Sequence, residues 1–300
     1  MEYPEVKHLY KFRGLRERVD ADGQVIYNEY TLAMLDKNTA WMARPTTFND
    51  PFDCNYRPIE SRIKPKDKLF LPESPPSEFE AEIMSSISQE SSPRDIERAI
   101  FRISEYRNDH IEYELKNFCV LSLAEDCNHI LMWAHYAVNH TGICLIYDRV
   151  EGKEFTSDLC RPIRYRTYDY EISHEDFQRF FRVDGRGEDW VKTNNLLTNA
   201  LFTKAECWFY EKEWRFVSFF PLPAKGFNLT IDTPITGIIF GCKTLEEDKE
   251  FIMSRYGDKF NYYQAWKCKH DYRVEVVPEE DWRGRDEYYK KERGFPPIEI

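Results

Sequence analysis

Three hundred residues, 42% hydrophobic and 16% aromatic, suffice for a packed core and exclude a disordered or low-complexity chain. The net charge of −11 argues against a general duplex-DNA coat, which needs a strong basic excess, but leaves room for a local basic cleft. At this length the expectation runs from one large domain to two. The eight cysteines include no Cys-x-x-Cys pair, and several, such as Cys144, fall inside apolar runs as small core residues. The amino terminus carries no apolar signal segment, and no apolar run approaches the roughly 20 residues of a membrane span. A soluble protein of a reducing cytoplasm, without a membrane partner, is the expectation.

In chain order, Leu9 to Arg13 reads as a strand, Tyr30 to Lys37 as a helix and Thr39 to Ala43 as a second strand. Arg44 to Phe52, with two prolines and Asn49-Asp50, is a loop. Residues 58–77 carry five prolines among scattered charges, an irregular linker. Ile96, Ala99, Ile100, Ile103, Tyr106, His110 and Ile111 then recur at helical spacing, so 58–117 is expected to be a linker and helical insertion. Strands are expected at Phe118 to Leu123 and Ile143 to Tyr147, around a helix from Asn128 to Val138. Next come a short strand at Ile163 to Tyr165, a helix over Trp190 to Thr203 and a strand from Glu211 to Phe220. A strand at Ile235 to Phe240, a helix at Glu246 to Tyr256 and a strand at Tyr272 to Val277 complete the pattern, with 279–300 a charged tail. Strands and helices mix without regular βαβ alternation, which favours a single α+β domain with a central mixed or antiparallel sheet and flanking helices.

Three polar constellations stand out. On a strand, Glu211, Glu213 and Arg215 share one face and Trp214, Phe216 and Phe220 the other. The carboxylates can line a cleft and bind a ribose hydroxyl or act as a general base, or they form a salt ladder on a solvated face. In the segment from Asn128 to Gly142, Met132, Trp133, Tyr136 and Ala137 form a buried stripe. There His135 and His140 lie about 140° apart around a helix and do not converge on one metal. His135 is open to a structural or a substrate-facing role, and His140 to capping the helix end. Asn49-Asp50-Pro51-Phe52 reads as a rigid turn or cap, and Lys11 and Arg13 as phosphate-gripping or exposed strand residues. Phosphate-loop, dinucleotide-fold, hydrolase-elbow and zinc-protease motifs are all absent.

In order, these segments resemble a bacterial family known only as domain of unknown function 2971. The resemblance is carried by Leu9 to Arg13, Arg44-Pro45 with Phe48 to Phe52, Met132 to Ala137, His140 to Gly142 and Ile163 to Tyr165. It continues through Lys204, Trp208, Tyr210 to Arg215 and Ile238 to Gly241, spanning about residues 8–277 apart from the insertion. The family pattern implies a site built on Arg13, Asn49, Asp50, His135, Tyr136, Glu211, Glu213 and Arg215. Glu211-x-Glu213 is also similar to the Glu-x-Glu element of one branch of ADP-ribosyltransferases, which implies a split sheet and NAD as a substrate. In that likeness Glu213, Glu211 and His135 are catalytic, with Glu213 on the nicotinamide ribose, while Arg13, Asn49, Asp50, Tyr136 and Arg215 bind the ligand. The chain departs from those enzymes in lacking their Ser-Thr-Ser strand.

The functional expectation takes two forms. One is an ADP-ribosyltransferase-like enzyme or NAD glycohydrolase, acting as a stress or phage-defence effector, with no resident metal. The other is a nucleotide- or single-strand-binding effector, in one version a magnesium-dependent nuclease using Asp50, Glu211 and Glu213. Phe48, Trp133, Tyr136, Trp208 and Trp214 are expected to bracket the polar positions.

Overall fold

The computed structural model describes residues 3–54, 78–87, 91–167, 195–219, 226–268, 271–279 and 281. In chain order these form β1 (His8–Arg13), β2 (Arg16–Val19), β3 (Val25–Tyr27), α1 (Glu29–Lys37), β4 (Thr39–Ala43), α2 (Glu78–Ser85) and α3 (Pro93–Leu115). Then come β5 (Phe118–Ala124), α4 (Ile130–Tyr136), β6 (Ile143–Asp148), β7 (Cys160–Pro162), β8 (Arg164–Arg166), α5 (Asn195–Leu201) and β9 (Thr203–Ala205). The last are β10 (Glu213–Phe219), β11 (Gly226–Thr230), β12 (Ile235–Phe240), α6 (Glu246–Tyr256), β13 (Asn261–Lys267) and β14 (Val274–Pro278).

Ten strands make one open mixed sheet in the order β11-β4-β5-β1-β6-β12-β13-β14, with β10 and β7 branching from β5. Its pairings are antiparallel except β12 with β13, as the α+β reading requires. Strand β5 is the branch point. Seven of its residues pair with β10, from Phe118↔Phe219 to Ala124↔Glu213. Its other edge is shared, with Val120 opposite Ala43 of β4 and Ala124 opposite Tyr10 of β1. A single register pair joins β1 to β5, so the sheet is split there.

Alternation along the strands sorts the core into two layers. Leu9, Leu145, Tyr147, Ile238 and Phe240 point to one side and pack with Met34 and Leu35 of α1 and Ile252 of α6. Phe12, Cys144, Ile146 and Ile239 point to the other and meet Met132 and Trp133 of α4. Helix α1 starts where the Asn28 side chain accepts from the Thr31 N–H and stops at Asn38, left-handed at φ 50°. Beyond α4, Val138, Asn139 and His140 are all left-handed, and the chain returns through Gly142, where any Cβ would strike the Arg13 carbonyl. Ile83, Ala99 and Ile103 of α2 and α3 form a small cluster of their own within the expected insertion. Its linker at 58–77 and nearly all of 279–300 lie outside the described residues.

Several expectations need correction. The strand expected from Glu211 begins at Glu213, because Glu206–Glu211 winds as a 3-10 helix and Lys212 turns left-handed at φ 42°. Of the helix expected over Trp190 to Thr203, residues 190–194 lie outside the described residues and the end falls at Leu201, before β9; the final strand begins at Val274. Strands β2, β3, β7, β9, β11 and β13 have no counterpart in the sequence reading. The first two form a hairpin held to α6, where Asp248 accepts from Arg16 Nε at 2.7 Å and from Tyr27 Oη at 2.9 Å. All eight cysteines are free thiols, five of them buried. Among the described residues no helix is long and apolar enough to cross a membrane.

Candidate functional site

A cleft of about 420 Å³ opens at the split in the sheet. Successive residues of both strands line it, Tyr10, Lys11 and Phe12 from β1 and Ser122, Leu123 and Ala124 from β5. Because successive residues face opposite sides of a sheet, a single cleft meets them all only where the two strands part.

Its floor is a buried ionic cluster. Arg215, 0% exposed, donates from Nη2 to both Asp53 oxygens at 2.8 and 2.6 Å and from Nε to Glu213 Oε1 at 2.8 Å. Its Nη1 reaches the Leu201 carbonyl at 2.8 Å and Cys54 Sγ at 3.0 Å. Lys204 Nζ donates to Glu211 Oε2 at 2.6 Å and Glu213 Oε2 at 2.9 Å, and stands 3.6 Å from Asp53. Tyr136 Oη closes the network on Glu211 Oε1 at 2.6 Å. Burial pushes the Glu213 carboxyl up, but Arg215 and Lys204 outweigh it and bring it down to about 2. Burial works against the Lys204 ammonium too, yet Glu213, Glu211 and Asp53 hold it above its ordinary value. Tyr136 is pushed up, first by burial and then by its bond to Glu211, so it stays a protonated donor.

The left-handed residue at Lys212 explains why Glu211 and Glu213 converge although only one is on the strand. The turn carries Glu211 back over Lys204, while the backbone N–H of Glu213 donates to Tyr165 Oη at 2.6 Å. The solvated salt ladder is thereby overturned: Glu211 is 3% and Glu213 4% exposed. The 49–52 segment is a rigid turn that also reaches the cleft. Asp50 Oδ1 accepts from the Phe52 N–H at 2.8 Å, as a rigid turn requires, and Oδ2 accepts from Trp208 Nε1 at 2.7 Å, tying the loop to the cleft.

Of the expected site residues, Asn49, Asp50, His135, Tyr136, Glu211 and Glu213 all line the cleft. Arg215 lies beneath the floor. Arg13 does not line the cleft; its Nε points to Thr31 Oγ1 at 3.4 Å, and Lys11, two residues earlier, takes the place in the wall. The aromatic bracket is also divided. Phe48, Tyr136 and Trp208 line the cleft, with Lys204 Nζ 5.1 Å from the Trp208 ring centre. Trp133 and Trp214 are core residues whose indoles donate to the Cys127 carbonyl at 2.7 Å and Glu125 Oε2 at 2.9 Å. His140 caps nothing through its ring: Nδ1 is buried without a partner among the described residues, and burial together with Lys243 lowers its pKa.

Lys204 and Asp53 are site residues that the sequence reading does not single out, although Lys204 stands in the family pattern and Asp53 directly succeeds the Asn-Asp-Pro-Phe turn. The carboxylates of the cleft are engaged within the protein. The Lys204 ammonium already stands among the three carboxylates, Asp50 is engaged by Trp208, and among the described residues no group of three His, Cys, Asp or Glu is placed to hold a metal ion.

The fold and the site thus define an α+β protein with an ionic cleft at a split in its sheet. Residues 132–216 match the family model described as Protein of unknown function (DUF2971), so the stretch that supplies Tyr136, Lys204, Glu211 and Glu213 is the part that matches the family the sequence resembles. No curated protein and no solved structure matches the chain.

Proposed function

We propose that the cleft binds a nucleotide and cleaves or transfers its N-glycosidic bond, with NAD as the substrate. The observation that carries this reading is the charge balance of the floor. Three carboxylates, Asp53, Glu211 and Glu213, face two basic groups, Lys204 and Arg215, so the buried floor counts one more carboxylate than base. Cleavage at a ribose C1 passes through an oxocarbenium-like state, and a fixed negative charge beside it is the electrostatics that lowers the barrier. Nicotinamide leaves neutral, so its departure needs no proton from the protein.

The two carboxylates divide the work. Both Glu213 oxygens are engaged by Arg215 and Lys204, which makes it the anchor of the floor. Glu211 shares one oxygen with the Tyr136 hydroxyl, which can rotate to a ribose hydroxyl and leave that oxygen to the developing cation. Phe48, Trp208, His135 and Tyr136 supply flat surfaces for the planar rings, and a cleft of about 420 Å³ falls within the usual range of small-molecule sites.

Incubation with NAD, with and without candidate acceptors, and measurement of released nicotinamide test the reading. Glu211→Gln is expected to lower the rate about 10²–10³-fold, the usual loss for one electrostatic stabiliser. A protein that neither binds nor consumes NAD with acceptors present ends this reading. Binding without consumption leaves a nucleotide-binding module.

A further inference from the structure

The floor uses Lys204 and Arg215 and leaves a third cation, Lys11, in the wall. Its Nζ donates to the Ser122 carbonyl across the split at 2.6 Å, and among the described residues no carboxylate lies within ion-pair distance of it. Arg13 stands two residues further along β1 and therefore on the same strand face. The charged and titratable groups that act on Lys11 are Arg13 on its own strand, Cys144 on β6, and Glu213 and Glu211 from the floor. Burial and then Arg13 bring the ammonium down to about 8, against the pull of the two glutamates. An ordinary lysine is uncharged in about one molecule in 3,000 near pH 7, and one titrating near 8 in about one in ten. Desolvation beside a second cation is an established way to make an amine nucleophilic.

We propose that Lys11 is a nucleophilic amine that condenses with the C1 aldehyde of a pentose held in the cleft, such as the ribosyl end exposed by glycosidic cleavage. The inference rests on the proposed glycosidic reading for the identity of the sugar. The Nζ lone pair bonds to C1 while the carbonyl π pair moves to oxygen, which takes up a proton. Nitrogen gives up one proton on forming the carbinolamine; the hydroxyl takes a second proton and leaves as water as the C=N bond forms, and nitrogen gives up its other proton. Amine and aldehyde thus yield imine and water, with no oxidant or reductant. His135 and Tyr136 line the same cleft and carry exchangeable protons for both transfers.

The experiment incubates the full chain with ADP-ribose and sodium cyanoborohydride near pH 7 and maps the reduced adduct by peptide mass spectrometry. The expected result is one adduct on Lys11, at least about tenfold above any other lysine, since the depressed pKa raises its share of free amine. Lys11→Arg, which keeps the charge and the stem, is expected to lose the adduct while its urea midpoint stays that of the parent. Label spread over surface lysines, or undiminished in Lys11→Arg, overturns the proposal. A parallel arm with NAD separates the two readings. An adduct from ADP-ribose, with neither adduct nor free nicotinamide from NAD, upholds the amine and removes NAD as substrate. Nicotinamide release with no Lys11 adduct from either compound upholds the glycosidic reading and ends this one.

Discussion

Strand β1 has two edges built on opposite principles. Along β6 it pairs through six consecutive residues, from His8↔Asp148 to Arg13↔Ile143, and the side chains there fill the two core layers. Along β5 it pairs once, at Tyr10↔Ala124. Beyond that pair opens the cleft, with Lys11 in its wall and five paired acidic and basic side chains in its floor. A closed ladder satisfies backbone groups with backbone and leaves side chains free to pack. Where it opens, Lys11 must answer the Ser122 carbonyl, and the space between the strands becomes available to a ligand.

The largest expected effect falls on the open edge. Arg215→Met leaves Asp53 and Glu213 with Lys204 alone, and removing one partner of a buried ion pair typically costs about 3–5 kcal/mol. Urea unfolding measures it, and a loss below about 1 kcal/mol would mean that water relaxes the cluster and the floor is not dry. On the sealed side, Ile252→Ala in α6, which packs against the β1–β6 ladder, is expected to cost about 2–5 kcal/mol by leaving a cavity, while the Lys11 adduct yield stays unchanged. A coupled loss of Lys11 reactivity would show that the two edges are not independent.

A smaller effect sharpens the contrast through pH. Glu213 titrates at about 2 in the folded protein, below the ordinary 4.5. Its contribution is therefore complete above the unfolded value and is lost as pH falls through about 2. The urea midpoint of the parent should decline between about pH 5 and 2. Glu213→Gln should flatten that decline at a lower overall stability, and an unchanged slope would place the acid sensitivity elsewhere.

Much of the fold is legible in the sequence. Leu9 to Arg13, Ile143 to Tyr147 and Ile235 to Phe240 are strand-length runs rich in apolar side chains, and each is a strand within a residue or so. Helix α6 ends where Tyr256 meets Gly257, at the residues its pattern predicts. The convergence of His135, Tyr136, Glu211 and Glu213 follows from two short polar motifs in the sequence, one on α4 and one at the entry to β10. Glu211 falls on a different element from the one expected because nothing in Glu-Lys-Glu announces a left-handed residue at Lys212, where glycine or asparagine is the usual signal. The choice of Arg13 over Lys11 has a similar cause. Both lie on one face of β1, and alternation cannot tell them apart.

What the sequence by itself determined is the alternation: which side chains share a face of each strand, and that a polar set recurs among aromatics. That information is local, since strand geometry assigns faces every second residue. Only the tertiary structure decided that β1 and β5 part after one register pair, that Lys204 and Asp53 complete the floor, and that Arg13 turns to Thr31 while Lys11 enters the cleft. The physical reason is separation along the chain. Asp53 and Arg215 are 162 residues apart and Tyr136 and Glu211 are 75 apart, so burial and charge state at the site are set by neighbours that no local pattern contains.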